Sequence, residues 1–205
     1  MSDGAAAVHE LELKAVVPDP SLLRRHLVES GAESTFRGLM EDRILDLDGT
    51  LQSRDEVLRV RTWRPEGADH RAQMAWKGPT RRSPEGYKLR EEIEFAVAGD
   101  GTSALAMLGA LGYTVYKAVD RFVEVFWVRG AEARVEWYPR MDVLVEVEGT
   151  PEAIEAALGV TGLPRAAFEP EPLAEFVRRF EERTGVTAAL AMADLKEGRP
   201  NWERR

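Results

Sequence analysis

Full charges recur at every second residue along several short segments of this chain, and that pattern constrains the fold more than any other feature. Glu10, Glu12 and Lys14 alternate with Leu11 and Leu13, and Arg59 and Arg61 alternate with Leu58, Val60 and Thr62. Arg90, Glu92 and Glu94 share another face, as do Glu146 and Glu148 between Val145 and Val147. A period of two is the period of a β-strand, whose side chains point to opposite faces in turn. A parallel sheet covered on both sides would read as continuous apolar runs. Alternation therefore favours antiparallel pairing.

Turn residues and apolar stripes divide the rest of the chain. Strands are expected over 8–16, 34–47, 57–63, 70–77, 86–97, 113–128, 132–138 and 143–148. Pro18 and Pro20 end the first, and Gly78-Pro79 separates the fourth from the fifth as a long hairpin. Helices are expected over 19–30, with Leu22, Leu23, His26 and Leu27 on one side, and over 102–111, 151–158, 170–184 and 187–196. So many antiparallel strands in one domain suggest closure into a barrel. The fold class expected is α+β, with flanking helices, in a single domain over 1–205. The barrel would occupy about 8–158 and a helical C-terminal segment about 165–197.

Composition narrows the chemistry. The net charge of −8 argues against general binding to nucleic acid backbones, though not against a local basic pocket. There is no cysteine, so disulfides and thiolate metal sites are excluded. His9, His26 and His70 lack zinc spacing, so any metal should be a hard cation on carboxylates. No apolar run is long enough for a membrane helix, and the first residues lack the features of a secretory signal. A cytoplasmic protein with no membrane and no nucleic acid partner is expected.

The polar faces admit two readings. A half-exposed antiparallel sheet normally alternates, so one Glu-x-Glu strand can simply be solvated. Here three such pairs occur, and basic residues occupy similar faces: Lys14, Arg59, Arg61, Lys77, Arg90, Lys117 and Arg121. Like charges enclosed together repel unless counter-charges are present. A closed barrel with charges inside would bind cations with its acids and a multiply charged anion with its bases. Paired carboxylates suit Mg²⁺ or Mn²⁺, and guanidinium forks match phosphate oxygens.

Glu10-x-Glu12-x-Lys14 resembles the ExExK signature of the CYTH superfamily, the triphosphate tunnel metalloenzymes. Further similarities follow in the family's order. They are Asp42-Arg43-Ile44-Leu45-Asp46, Leu58-Arg59-Val60-Arg61, Trp76-Lys77-Gly78-Pro79, Arg90-Glu91-Glu92-Ile93-Glu94 and Val145-Glu146-Val147-Glu148. The resemblance implies an eight-stranded antiparallel β-barrel forming a triphosphate tunnel. It implies metal held by Glu10, Glu12, Glu146 and Glu148, with Glu92 and Glu94 near by. It implies triphosphate bound by Lys14, Arg59, Arg61, Lys77, Arg90 and Arg121, and a catalytic set of Glu10, Glu12, Lys14 and Glu136. Val119-Asp120-Arg121 stands where the family often has Lys-x-Arg, with Lys117 able to substitute from the same face. Pro139-Arg140-Met141-Asp142 replaces a glycine-containing turn.

The activity implied is metal-dependent triphosphate hydrolysis, of inorganic triphosphate, ATP or thiamine triphosphate. The alternatives are a class IV adenylate cyclase making cyclic AMP and pyrophosphate, and a non-catalytic binder of nucleotide or polyphosphate. A homodimer is a further possibility. A competing motif, Asp46-Leu47-Asp48-Gly49-Thr50, matches the DxDGT of haloacid-dehalogenase-type phosphatases. It should follow a buried parallel strand. The segment before it is charged and alternating, and a plain Asp-Gly turn between strands is preferred.

Overall fold

A computed structural model describes residues 8–84 and 86–204; the side chains of Val8, His9, Glu10 and Arg204 lie outside the described set. Strands β1 (Val8–Val16), β2 (Glu33–Asp46), β3 (Val57–Pro65), β4 (Arg71–Lys77), β5 (Arg81–Arg82), β6 (Lys88–Val97), β7 (Thr114–Val128), β8 (Ala131–Trp137) and β9 (Leu144–Glu148) form one antiparallel sheet. Its order is β1-β9-β8-β7-β2-β3-β4-β6, and β1 pairs back onto β6, which closes an eight-stranded barrel. The two-residue β5 lies outside the ring as a short addition to β6. Closure leaves no long unpaired edge in this sheet, which is how such a barrel avoids pairing with other chains.

The helices cover part of the outside. Helix α1 (Pro20–Glu29) starts on Asp19, whose carboxylate accepts from the Leu22 amide at 2.9 Å, and has Pro20 in its first turn. Leu23 and Leu27, one turn apart, face the barrel. They meet the outward residues of β1, β7, β8 and β9, including Leu13, Phe126, Val135 and Val147, under α4 (Pro151–Leu158). Helix α3 (Thr102–Ala110) buries Ala104 and Leu108 on Leu45 and Val60. Each such Leu or Val contributes about 1.5–3 kcal/mol when fully buried. So on β1 and β3 one face is covered by helices and the charged face has nowhere to go but the barrel interior.

Between Asp46 and β3 the chain makes the single-turn helix α2 (Thr50–Ser53) rather than a tight hairpin turn. Asp46 is 2% exposed and accepts from the amides of Leu51 and Gln52, both at 3.0 Å. Those bonds hold its carboxyl below the usual range against the opposing effect of desolvation. The Asp-Gly motif is thus a cap between antiparallel strands, with no phosphatase-type parallel strand before it.

The C-terminal segment differs from expectation. Residues 170–172 lie outside the helix, with Pro172 extended, and α5 runs Leu173–Thr184, ending at Gly185 with φ 67°. No helix spans 187–196. There Ala189 exchanges both backbone hydrogen bonds with Arg140, Asp120 donates its amide to Leu190, and only a short 3-10 turn (Met192–Asp194) follows. Sheet-like pairing of these residues satisfies backbone groups that a free helix would leave elsewhere. Among the described residues no helix is long and apolar enough to cross a membrane.

Candidate functional site

The inward faces of the strands enclose a cavity of about 210 Å³. Nine cationic side chains line it against four carboxylates, and Glu92, Glu132 and Glu148 pair with lining cations from beside it, so cations still outnumber acids there in a chain whose net charge is −8. Six of the nine were expected from alternation and resemblance together, namely Lys14, Arg59, Arg61, Lys77, Arg90 and Arg121, and Lys117 was the suggested substitute. Lys88 and Arg134 complete the set.

The cations are arranged around acids. Arg61 grips Asp42 with two hydrogen bonds, Nε to Oδ1 at 2.7 Å and Nη2 to Oδ2 at 2.9 Å. Arg121 reaches the same carboxylate at 3.1 Å and Arg59 approaches it at 4.0 Å. Burial alone would raise the Asp42 carboxyl, but Arg61, Arg121 and Arg59 hold it well below the ordinary carboxylate range. Glu92 lies between Lys77 at 3.0 Å and Arg59 at 3.4 Å. Arg90 donates to the carbonyls of Gly78 and Asp55, which fixes it at the loop that carries Gly78-Pro79.

On the opposite wall, Lys14 lies between Glu12 at 2.7 Å and Glu146 at 2.5 Å. Desolvation would lower its ammonium, yet the two carboxylates raise it above its usual value. Lys88 pairs with Glu12, and Arg134 reaches Glu146 at 2.9 Å. Lys117 differs from all of these. It is half-buried, none of the ion pairs within 4 Å among the described residues involves it, and desolvation pulls its ammonium below the ordinary lysine value.

The expected acids separate into groups. Glu12 and Glu146 face the cavity. Glu148 lies opposite Glu12 in the strand register, is about one-third exposed, and reaches Arg134 at 3.5 Å. Glu92 sits with the phosphate-binding candidates rather than with the other acids, and Glu94 is exposed at the far end of β6, accepting from Gln73 at 3.0 Å. The two cannot join Glu12 and Glu146 in one cluster in this arrangement. The Glu10 side chain lies outside the described residues. Glu136 is 2% exposed, with one oxygen on Arg121 Nε at 2.9 Å and the other accepting from the Tyr138 hydroxyl. That geometry makes it a positioning group for Arg121 on the cavity wall.

A divalent cation would need several oxygens at one point. Among the described residues no three acids converge so. Two do: Glu12 and Glu146 both aim at the single positive centre of Lys14. The pair supplies oxygen donors of the kind a hard cation takes, and Lys14 neutralises both of them.

Some functional candidates were missed. Asp42 carries the arginine cluster, and Arg134, Lys88 and Tyr138 line the cavity. A consistent application of the period of two would have found them. Lys88 precedes Arg90 by two, and Arg134 and Tyr138 flank Glu136 by two.

No protein-family model matches the sequence, and no curated protein matches it significantly. Solved structures do match in fold. The PH1819 protein of Pyrococcus horikoshii OT3 is 23% identical with a TM-score of 0.67, over 83% of this chain and 98% of that one. A candidate adenylate cyclase of Vibrio parahaemolyticus is 18% identical with a TM-score of 0.68, over 84% and 99%. HpAC1 of Hippeastrum, a candidate adenylyl cyclase described with a dominant triphosphatase activity, is 18% identical with a TM-score of 0.52, over 89% and 91%. The chain shares the antiparallel barrel fold of these proteins, and it is the fold that its ordered motifs resemble.

Proposed function

We propose that this protein hydrolyses a triphosphate held inside its barrel. The observation that carries the reading is the inverted charge: nine cations gathered around one cavity of an acidic chain, more than the carboxylates that pair with them. A buried excess of positive charge is costly unless a multiply charged anion offsets it. Arginine forks and lysine point charges on several strands suit an anion with several phosphates.

In this reading Arg59, Arg61 and Arg121 bind phosphate oxygens, with Asp42 and Glu136 fixing the guanidinium planes. Lys77, Lys88, Arg90 and Lys117 complete the contact. Attack by water on the terminal phosphorus forms one P–O bond and breaks the bond to the bridging oxygen. Negative charge grows on that leaving oxygen, and guanidinium groups already in place stabilise it without reorganising. Glu12 and Glu146, with Glu148 adjacent, are the residues that would hold a divalent metal ion. Such an ion, when bound, supplies charge neutralisation and orientation of phosphate oxygens. Lys14 would then turn from the two carboxylates to the phosphates.

The descriptions of the Vibrio and Hippeastrum proteins support the substrate class. The test is product analysis with ATP, inorganic triphosphate and thiamine triphosphate, each with Mg²⁺ or Mn²⁺, beside a Glu12→Gln control. Phosphate release that the control lacks is expected. Cyclic AMP with pyrophosphate would replace hydrolysis by cyclisation. No product, with thermal stabilisation by triphosphate, would leave a binding protein.

A further inference from the structure

The outside of the barrel carries a second cleft, larger than the cavity within. Its volume is about 580 Å³, inside the range of small-molecule sites. It lies where the start of α1 meets β2, β7 and β8, and Arg24, Arg37, Glu124 and Trp137 are among its lining residues. Arg37 and Glu124 face each other across the β2–β7 pair. Glu124 shares its face of β7 with Phe122 and Phe126, which pack in the cluster under α1, whereas Arg121 turns into the barrel. The cleft and the inner cavity therefore lie on opposite faces of the same strands.

At the centre of the cleft is a carboxylate whose needs are met. Glu124 is 4% exposed, with one oxygen 3.1 Å from Arg24 Nε and the other 3.4 Å from Arg37 Nη1. It anchors two guanidinium groups that are each about half exposed. Glu66, outside the lining, takes Arg37 Nε at 3.1 Å. Arg24 is the one with capacity to spare. It commits only Nε, and its two terminal nitrogens have no protein acceptor among the described residues.

A second donor is unmet beside it. Trp137 is 6% exposed and meets the Phe122 ring edge to face at 5.9 Å. Its indole N–H has no protein acceptor among the described residues, although buried indole N–H groups usually find one. Asn201, by contrast, gives its side-chain N–H to the Met141 carbonyl at 2.7 Å. The unmet groups are mainly donors, and they stand beside apolar surface from Trp137, Val143 and Pro20. The end of a guanidinium takes a carboxylate by two parallel hydrogen bonds. Glu124 and Glu66 already offset the two arginines, which favours a singly charged head over a phosphate.

We propose that this cleft binds a small organic carboxylate, with its head on Arg24 and its apolar body against Trp137, independently of the barrel cavity.

The test titrates the full chain, labelled with ¹⁵N, with 3-phenylpropionate at constant ionic strength. The readout is the indole signal of Trp137, one of five tryptophans, assigned by through-bond correlation. That signal should shift saturably. Acetate, 3-phenylpropan-1-ol and phenyl phosphate should each bind at least about tenfold more weakly, and saturating tripolyphosphate should leave the affinity for 3-phenylpropionate unchanged. Arg24→Gln should weaken 3-phenylpropionate about tenfold, the value of one hydrogen bond to a charged group. Arg24→Lys keeps a charge beside Glu124 and loses the fork, so it should also weaken binding, and it carries the test if Arg24→Gln fails to fold. No saturable shift, equal affinity for the alcohol, tighter binding of phenyl phosphate, or wild-type affinity in both variants would overturn the proposal. Displacement by tripolyphosphate would place the probe in the barrel and overturn it too.

Discussion

Two levels of one barrel interior lie a single step apart and are built from opposite chemistry. On β2, β3 and β7 the step from Asp42 to Met40, from Arg61 to Trp63 and from Arg121 to Val123 passes from a charged belt to an apolar floor. The floor gives dispersion and hydrophobic burial with no desolvation cost. The belt carries a desolvation cost of several kcal/mol per ion that mutual pairing offsets only in part. A barrel needing stability alone would extend the floor. On the triphosphatase reading, its interruption by Arg59, Arg61, Arg121 and Asp42 is where the molecule gives up stability for a ligand.

The comparison is broken most directly by one variant at each level. Trp63→Ala leaves a void beside Phe36 and Met40 and should cost about 3–5 kcal/mol in urea unfolding. Asp42→Asn leaves Arg61 and Arg121 without the carboxylate they share and should cost a similar 3–5 kcal/mol, since one partner of a buried ion pair has been removed. The causes separate under ligand. Tripolyphosphate should raise the midpoint of Asp42→Asn by more than it raises that of the wild type, because the anion replaces the lost charge. Trp63→Ala should show only the wild-type increment. Equal increments in both variants would mean that the belt is not the anion site.

Activity sharpens the same contrast. Arg59→Ala should lower kcat/KM for a triphosphate by about 10²–10³-fold, the range for removing one preorganised group that meets developing charge. Arg71 lies at the floor's level, its guanidinium 4.9 Å from the Trp63 ring centroid. Arg71→Ala should lose only the cation–π contribution of about 0.5–1 kcal/mol in stability and leave kcat/KM unchanged. A large loss of turnover in Arg71→Ala would show that substrate reaches the floor.

Much of this was legible in the chain and some was not. The strands, their antiparallel pairing and the inward charges followed from the period of two at Glu12-x-Lys14, Arg59-x-Arg61 and Glu146-x-Glu148. The period identifies a face but not its neighbours. Glu92 therefore counted with the acids, although Arg59 and Lys77 claim it in three dimensions. Glu94 shares that face but is exposed and accepts from Gln73. Asp42 was hidden by its context, since Asp42-Arg43 shows an ordinary charged strand until Arg61 is paired across from it. Residues 187–196 carry a helical composition, but backbone exchange with Arg140 overrides that weak local preference. The floor escaped notice because Met40 and Trp63 resemble any core residue when read singly.

Acid should act on the belt and spare the floor. Arg61, Arg121 and Arg59 hold the Asp42 carboxyl well below its ordinary range despite burial, and Lys14 and Arg134 do the same for Glu146. Both folded values lie below the unfolded ones, so their contribution is fully present above about pH 4–4.5, near the reference carboxylate values, and is lost as pH falls through the folded values. Urea midpoints measured downward from pH 5 should fall more steeply in the wild type than in Asp42→Asn, which has lost one of the two groups. Parallel curves would place the acid-sensitive groups elsewhere.

The smallest effect belongs to Lys117, the belt cation with no carboxylate partner within 4 Å among the described residues. Desolvation lowers its folded value below that of the unfolded chain. Between the two, the unfolded chain binds the extra proton, so stability of the free protein should rise with pH across that window. A bound polyanion favours the charged form and should reverse the shift. Binding then takes up a proton, and affinity falls as pH rises through the same window. Lys117→Met should remove both pH slopes and weaken tripolyphosphate by about tenfold, the value of one charge-assisted hydrogen bond of about 1.5 kcal/mol. Titration calorimetry in two buffers of different ionisation enthalpy reads the proton directly. Uptake that survives in Lys117→Met would assign it to another belt lysine, while its loss would identify Lys117 as a cation kept unpaired for the ligand.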